Sequence, residues 1–528
     1  ADHFTPDDYE FLKFHGCYQQ DDRDLRKTGK KYIMMVRSRI PGGVMTANQW
    51  RVFDQLASDY GNNTLRVTTR QTIQFHGILK KDLRRVIQGI NESLLSTLAA
   101  CGDVSRNVLA PPTPAYTPAR DEVYADCKTT ALAMAPRTAA YHSIWIDGVQ
   151  LDLDAGENKN FEDPLYGKAY LPRKFKVAFA IPPVNDVDVF ANDMAFIAIV
   201  ENNRLVGYNA AVGGGMGRSH GNEQTFPRLA DVIGFVPREK VLDVTRALLT
   251  VHRDFGDRAN RKHARLKYII AERGPEWARA EIERRANLRF APAREFKFST
   301  TADLLDWRQA TDGKWFLTVF VETGRVKDVE GRKLKTALRE VAQKHPDIEF
   351  RLTTNQNVIL ANVGGDEKGA ITTLLAGYGV KTEKQASVLH AAALACPSLP
   401  TCGLALAESE RMLPGLIDRI EKLCAEVGMA GEEIIVRSTG CPNGCARPYL
   451  AEIGFVGKSP GRYQLWLGGN ASGTRLNRLW KDVIKEPEIE NELRPLLSRY
   501  VRERLGGERF GDFAARALWP EQPAGAVN

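Results

Sequence analysis

Four cysteines crowd into fifty residues, Cys396 and Cys402 in CPSLPTC and then Cys441 and Cys445 in CPNGC. A structural zinc site typically pairs its ligands across two to four residues, often with histidine. The first pair here, with five intervening residues, is wider than that. Thiolates are soft ligands that suit iron and sulfide at least as well. Proline follows the first cysteine of each pair, and Gly and Asn in the second let the backbone turn tightly and aim amides at sulfur. The spacing favours a 4Fe-4S cluster and leaves two alternatives open, a zinc site and plain buried thiols. Cys17, Cys101, Cys127 and Cys424 are scattered and read as small buried hydrophobes. Eight cysteines in 528 residues are too few for a disulfide framework and suit a reducing compartment.

Basic residues supply a second kind of chemistry. In RKFK, Lys174 and Lys176 alternate along an extended chain, so they share a face while Phe175 points away. Arg66, Thr68 and Arg70 alternate in the same manner. Fixed cations on one face can bind an anion, polarise its oxygens and deliver protons, but basic strand residues are usually solvated surface, and alternation alone leaves that reading open. The run Gly213-Gly214-Gly215, followed by His220, permits close backbone approach to a cofactor and reads equally well as a mobile loop.

Elements that position these residues are legible as two similar series. Strand-like KYIMMVRSRI, helix-like TANQWRVFDQLASDYG and strand-like TLRVTTRQTIQFHGI are echoed by WFLTVFVE, RKLKTALREVAQKH and IEFRLTTNQNVILANV. Aligning Leu65 with Phe350 matches Arg, Thr, Thr and Gln, and a second echo pairs LVGYNAAVGGG with PGRYQLWLGGN. Two echoes in the same chain order predict a duplicated α/β (α+β) protein with a site near a pseudo-two-fold axis. The copies differ where the first has Arg70 and His76 and the second Asn355 and Ala361, so the first is the one equipped for anions.

The net charge of +8, from 73 basic and 65 acidic residues, is spread too thinly for a nucleic-acid-binding tail, and no basic stripe interleaved with aromatics is found. It fits anionic small molecules or an acidic protein partner. No apolar run approaches membrane-spanning length and the start lacks a signal peptide, so a cytoplasmic protein is expected. Residue 1 is alanine, which fits a chain whose N-terminal segment has been removed or left out. No P-loop, dinucleotide fingerprint or flavin motif occurs.

FHGCYQQDDRD, RIPGGV, TTRQTIQFHGILKK, RNVL, YLPRKFK, VGGG with HGN, PGRY and LGGN, together with the cysteine motifs, span nearly the whole chain. In these the chain resembles the sulfite and nitrite reductase haemoprotein family. The resemblance implies three α/β domains related by pseudo-two-fold symmetry. They are expected as an extension over 1–28, a duplicated ferredoxin-like domain over 29–100 with 306–384, a siroheme and substrate domain over 101–305, and a cluster and siroheme domain over 385–528. Cys396, Cys402, Cys441 and Cys445 would hold a 4Fe-4S cluster, and Cys445 would also be the axial ligand of a siroheme. Arg66, Thr68, Arg70, Gln74, His76, Arg265, Gln356, Asn443 and Arg447 would line the siroheme, whose carboxylates demand cations and amides.

By the same resemblance, Arg37, Arg106, Lys174 and Lys176 would hold the substrate, with His76 and His142 as candidate proton donors. The implied activity is six-electron reduction of sulfite to sulfide in assimilatory sulfur metabolism and cysteine biosynthesis, with nitrite reduction to ammonia as the alternative. Relatives that prefer nitrite tend to have asparagine at the second lysine of RKFK, so Lys176 favours the dianion. Electrons would come from an NADPH flavoprotein subunit carrying FAD or FMN, or from a ferredoxin. Neither nucleic acid nor membrane is an expected partner.

Overall fold

In a computed structural model that describes residues 2–114, 119–137, 144–146, 149–151 and 162–519, the two echoed series become two matching five-stranded sheets. The first runs Cys17–Asp21, Tyr32–Arg37, Ile73–Ile78, Leu65–Val67 and Arg325–Val326. The second runs Trp307–Gln309, Trp315–Val319, Val358–Val363, Glu349–Leu352 and Val44–Thr46. The last strand of each comes from the other half of the chain, with Arg325 opposite Arg66 and Val44 opposite Arg351. This reciprocal exchange interlocks the halves.

Two helices in each half pack into the shared core, Ala47–Tyr60 with Leu83–Glu92 and Leu334–Lys344 with Glu367–Gly377. Ala47–Tyr60 starts at a capping box, in which Thr46 Oγ1 accepts from the Gln49 amide and Gln49 Oε1 from the Thr46 amide. Its apolar positions Trp50, Phe53, Leu56 and Ala57 recur at helical spacing and are buried. Leu334–Lys344 is its counterpart, and the two share one core in which Trp50 stacks on Phe350 at 4.6 Å. A buried ion pair, Lys335 with Asp54 at 2.8 Å, joins the two helices where neither charge has water.

A second related pair of sheets follows. Val177–Ala180 lies parallel to Met194–Glu201, and the antiparallel strands Arg204–Val212 and Asp231–Pro237 complete the sheet. Val436–Thr439 lies parallel to Ile453–Ser459 in the same way, followed by Arg462–Leu467 and Arg478–Lys485, with Leu394–Ala395 added at the other edge. Tyr208 and Tyr463 of the second echo occupy matching strands of these sheets. Separate cores fill the two, one drawn from residues between Ala99 and Phe290, the other from residues between Leu389 and Ala514.

Two expectations change. LRVTTRQTIQFHGI is not one long strand: Leu65–Val67 and Ile73–Ile78 form an antiparallel pair, and residues 68–72 turn between them with Gln71 at φ 53°. Arg66, Thr68 and Arg70 therefore do not share a strand face. Second, Cys17–Asp21, inside the expected extension 1–28, pairs residue for residue with Tyr32–Arg37 and is the edge strand of the first sheet. No helix among the described residues is long and apolar enough to cross a membrane.

Candidate functional site

Leu394–Ala395 and Val436–Thr439 are parallel neighbours, so the segments leaving them, CPSLPTC and STGCPNGC, emerge at the same end of the sheet. Glycine at 440 then lets them touch, because a Cβ there would fall on the Ser398 side chain and the Ala407 carbonyl. The Gly440 amide donates to Cys396 Sγ at 3.3 Å, and Asn443 Nδ2 to Cys441 Sγ at 3.5 Å. Burial and then the nearby Cys445 push up the Cys396 thiol and raise Cys441 to about 12. Burial also raises Cys402, with Cys445 again among the causes. Each of these three thiols feels the charge of Cys445, which is itself exposed.

This spacing separates the metal alternatives. A single tetrahedral ion with metal–sulfur bonds of about 2.3 Å draws its sulfurs to about 3.8 Å from one another. Among the described residues, the ligand atoms that lie mutually within 4.8 Å belong to His390, Asp418 and Glu421, not to any three cysteines. The thiols are grouped, yet too widely for one ion, which fits a multi-iron core with its own sulfides.

Cations gather beside the turn that binds the Cys445 carbonyl: Thr69 Oγ1 donates to that carbonyl at 2.9 Å, and Arg70 next to it reaches the Val177 carbonyl at 3.5 Å. Burial, then Arg265, Arg173 and Arg106, lowers Lys174 to about 7, while Cys445 acts in the opposite sense. Lys176 is driven well below its ordinary value by burial, Arg70 and Lys174. Arg70 falls to about 9 through burial and Arg106. Phe175 is fully buried and both lysines are partly open, as the alternation predicts. One carboxylate, Asp193, is built in: Arg265 Nη2 donates to its Oδ1 and Oδ2 at 3.0 and 2.9 Å, and the Lys176 amide to Oδ2 at 3.0 Å. Arg70 Nη1 donates to Asn192 Oδ1 at 3.0 Å. Arg106 is held by the Gly102 and Ala100 carbonyls at 2.8 and 3.2 Å.

Arg37 ends its strand with Nη1 donating to Cys101 Sγ at 3.0 Å. Gln74, its amide turned to face the guanidinium, accepts from Arg37 Nε at 3.0 Å. Burial works against the Arg37 charge, but Cys101, Tyr18, Cys445 and Cys402 outweigh it and hold Arg37 above its usual value. His76 is pushed well below its ordinary value by burial and then Arg325, so its imidazole is neutral at neutral pH.

A polyanionic cofactor can be tested against atoms the protein leaves unpaired. His76 Nδ1, Arg70 Nε and Arg265 Nε are buried without a hydrogen-bond partner. All three belong to residues expected to line the siroheme, and carboxylates are the groups that such atoms and crowded cations require.

Other expected contacts stand elsewhere. Arg66 is fully buried, ion-paired to Glu410 and donating to the Ala395 carbonyl at 2.7 Å; Gln356 Nε2 donates to that same carbonyl at 2.9 Å. Both brace the start of the cysteine segment instead of presenting a free group. Thr68 accepts from the Arg70 and Thr72 amides inside its own turn. The Cβ positions of Gly213, Gly214 and Gly215 are already met by Ile270, the Phe190 carbonyl and Arg265, so the close approach these glycines allow is to protein. His220 is exposed on a turn. Arg447 is committed to Asp188 and two backbone carbonyls. His142 lies outside the described residues.

Sequence reasoning missed three contributors. Lys267 is buried and donates to the Gly215 and Gly217 carbonyls at 3.0 and 2.7 Å and to Phe226, fixing the glycine loop. A lysine inside the apolar run RLKYII was the available signal. Asp193 balances Arg265, and Cys101, read as a filler, is a partner of Arg37. Cys101 precedes Arg106 by five residues, a proximity that could have flagged it.

Comparison with known proteins fits this arrangement. The family described as nitrite and sulphite reductase 4Fe-4S domain matches residues 126–290, and the nitrite/sulfite reductase ferredoxin-like half domain matches 26–93 and 308–378. The first stretch contains none of the four grouped cysteines, which belong to the matching sheet of the second half. A relative named sulfite reductase (NADPH) hemoprotein beta-component, from Geobacillus kaustophilus, is 50% identical over 519 residues, 97% of this chain and 90% of its own. One of the same name from Myxococcus xanthus is 49% identical over 526 residues, 98% of this chain and 92% of its own. The solved structure of Mycobacterium tuberculosis NirA protein shares the fold with TM-score 0.79, at 23% identity, over 97% of this chain and 91% of that one.

Proposed function

Because the chain belongs to the nitrite and sulphite reductase family, we propose that it reduces sulfite to sulfide at a siroheme joined through Cys445 to a 4Fe-4S cluster. One observation carries this reading: Thr69 Oγ1 donates to the Cys445 carbonyl at 2.9 Å while the next residue, Arg70, reaches the carbonyl of Val177 beside Lys176 at 3.5 Å, so the cation site and the cysteine cage are adjacent. Cys396, Cys402, Cys441 and Cys445 would hold the cluster, and Arg70, Arg265 and His76, each with a buried unpaired nitrogen, would bind the siroheme carboxylates. When bound, these groups would supply single electrons and the iron at which the substrate is reduced.

The protein's own work is electrostatic. Lys174, Lys176, Arg37 and Arg106 bind the sulfite dianion and orient its oxygens. Lys174 Nζ, with a pKa of about 7, exchanges a proton near neutrality and is suited to give one as oxygen leaves as water. A crowd of cations with so few carboxylates favours a dianion over a monoanion, which supports sulfite over nitrite.

The domain division is 17–100 with 306–384, 101–305 and 385–528, the first now including the edge strand Cys17–Asp21, and the three largest cores support it. Cys17, Cys101, Cys127 and Cys424, which are not cluster ligands and form no disulfide, support a reducing, cytoplasmic setting. NADPH appears in the relatives' names, and this sequence lacks a nicotinamide or flavin motif. Electrons therefore arrive from a flavoprotein partner carrying FAD or FMN, with a ferredoxin as the alternative. The test is anaerobic sulfide production by the purified chain, with a reduced viologen and separately with NADPH. Sulfide is expected with the viologen alone. Turnover with NADPH alone would contradict the need for a partner, and no sulfide with either donor would contradict the activity.

A further inference from the structure

Arg447 stands two residues after Cys445, in a left-handed conformation with φ 55°. Its Nη1 donates to the Thr69 carbonyl and its Nη2 to the Thr354 carbonyl, both at 3.1 Å. Thr69 and Thr354 are the matching residues of the duplicated turns TTRQ and TTNQ. A single guanidinium thus spans equivalent carbonyls of the two interlocked halves, on the relation that exchanges them. On its Nε side Arg447 pairs with Asp188, which also accepts from Arg437 Nη1 at 2.7 Å. Arg447 is 7% exposed, so water cannot replace these partners.

The threonine hydroxyls break the symmetry. Thr69 Oγ1 donates to the Cys445 carbonyl at 2.9 Å, whereas Thr354 Oγ1 donates to the Asp186 carbonyl. The duplicated turn has one copy turned toward the exposed cysteine and the other toward an unrelated backbone segment. Residue 445 is therefore held at its own carbonyl by the first half and, two residues on, by a clamp across both halves.

We infer that Thr69 and Arg447 are positioning residues for Cys445, fixing its backbone so that Sγ points at one site, and that seating of the two halves sets this direction. The inference rests on the reading of Cys445 as the axial ligand. Neither residue needs to touch a cofactor to act in this way, and Arg447 serves as a brace in place of the siroheme contact expected from resemblance.

Duplication supplies the control. Thr69→Val and Thr354→Val are near-isosteric changes at matching positions, each removing one hydroxyl bond. Iron and acid-labile sulfide content, the visible spectrum and the electron paramagnetic resonance of the haem are compared in the purified proteins. Thr69→Val should broaden or shift the haem signals and lower kcat about tenfold with little change in KM for sulfite, since the anion site is untouched. Thr354→Val should retain wild-type spectra, and Thr69→Ser, which keeps the hydroxyl, should restore them. If Thr69→Val leaves the spectra unaltered, if both valine variants alter them alike, or if Thr69→Ser fails as Thr69→Val does, the inference is overturned. Wild-type protein with no haem signal would instead overturn the axial role of Cys445 on which it rests.

Discussion

Lys174 pays for its place among Arg265, Arg173 and Arg106 with a proton it holds only loosely, and that has a measurable sign. Its pKa of about 7 lies well below the lysine value of about 10.4 in an unfolded chain. Between those values the unfolded chain binds more protons, so the apoprotein gains stability as pH rises above 7. Lys174→Met removes this dependence. The melting temperature of apo Lys174→Met minus that of apo wild type should shrink from pH 7 to 8, a window below most thiol titration; a constant difference would show that Lys174 is not so perturbed. Lys176 bears on substrate choice. Lys176→Asn should shift the ratio of kcat/KM for sulfite over nitrite toward nitrite by roughly ten- to hundredfold, the scale of one charge-assisted contact. A ratio that stays or rises would remove Lys176 from sulfite selection. At this scale the grouping of the four cysteines was legible in their spacing, and the shared face of Lys174 and Lys176 in their alternation about buried Phe175, whereas the role of these residues came from the family resemblance. Arg66 and Arg447 were not, since a cation that braces a backbone carbonyl and one that faces a ligand look alike in one dimension.

The cysteine cage depends on two parallel strands delivering two loops to one sheet end, and on a third segment pressed against them. Arg23 Nη1 and Nη2 donate to the Ala405 and Cys402 carbonyls at 2.7 and 2.9 Å, and its amide donates to the Pro400 carbonyl at 3.2 Å. The DDRD segment near the start of the chain thus closes over the Cys402 loop. Each side-chain bond is worth about 1 kcal/mol, so Arg23→Ala should loosen this loop without unfolding the domain. Loss of acid-labile sulfide on exposure to a chelator should be several times faster in Arg23→Ala than in wild type; an unchanged rate would show that the segment does not protect the cage. Strands and helices with steady periodicity, such as Ala47–Tyr60 and Leu334–Lys344, could be read directly. The turn at 68–72 could not, because Val, Thr and Thr continue a strand-like pattern through it and only the positive φ of Gln71 reveals the reversal. Cys17–Asp21 was hidden for a different reason: its partner strand, not its own short sequence, makes it an edge.

Across the whole molecule, duplication explains where the site lies. Arg325–Val326 and Val44–Thr46 exchange between halves, and Ala395 and Arg447 are each held from both. The echo of LRVTTRQ in FRLTTNQ was enough to expect a pseudo-two-fold protein, whereas the strand exchange was invisible because Arg325–Val326 is only two residues long. Divergence between the copies then confines the cysteines to one half, while the cations come largely from the other. The claim on which the account turns is that these meet in one centre of cluster and siroheme sharing Cys445. Iron and acid-labile sulfide, counted together in anaerobically purified wild type and Cys445→Ser, test it most directly. The account predicts about five irons and four sulfides per chain in wild type, and loss of both the haem absorption and sulfide in Cys445→Ser. Zinc without sulfide in the wild type, or a Cys445→Ser protein with both centres intact, would contradict it.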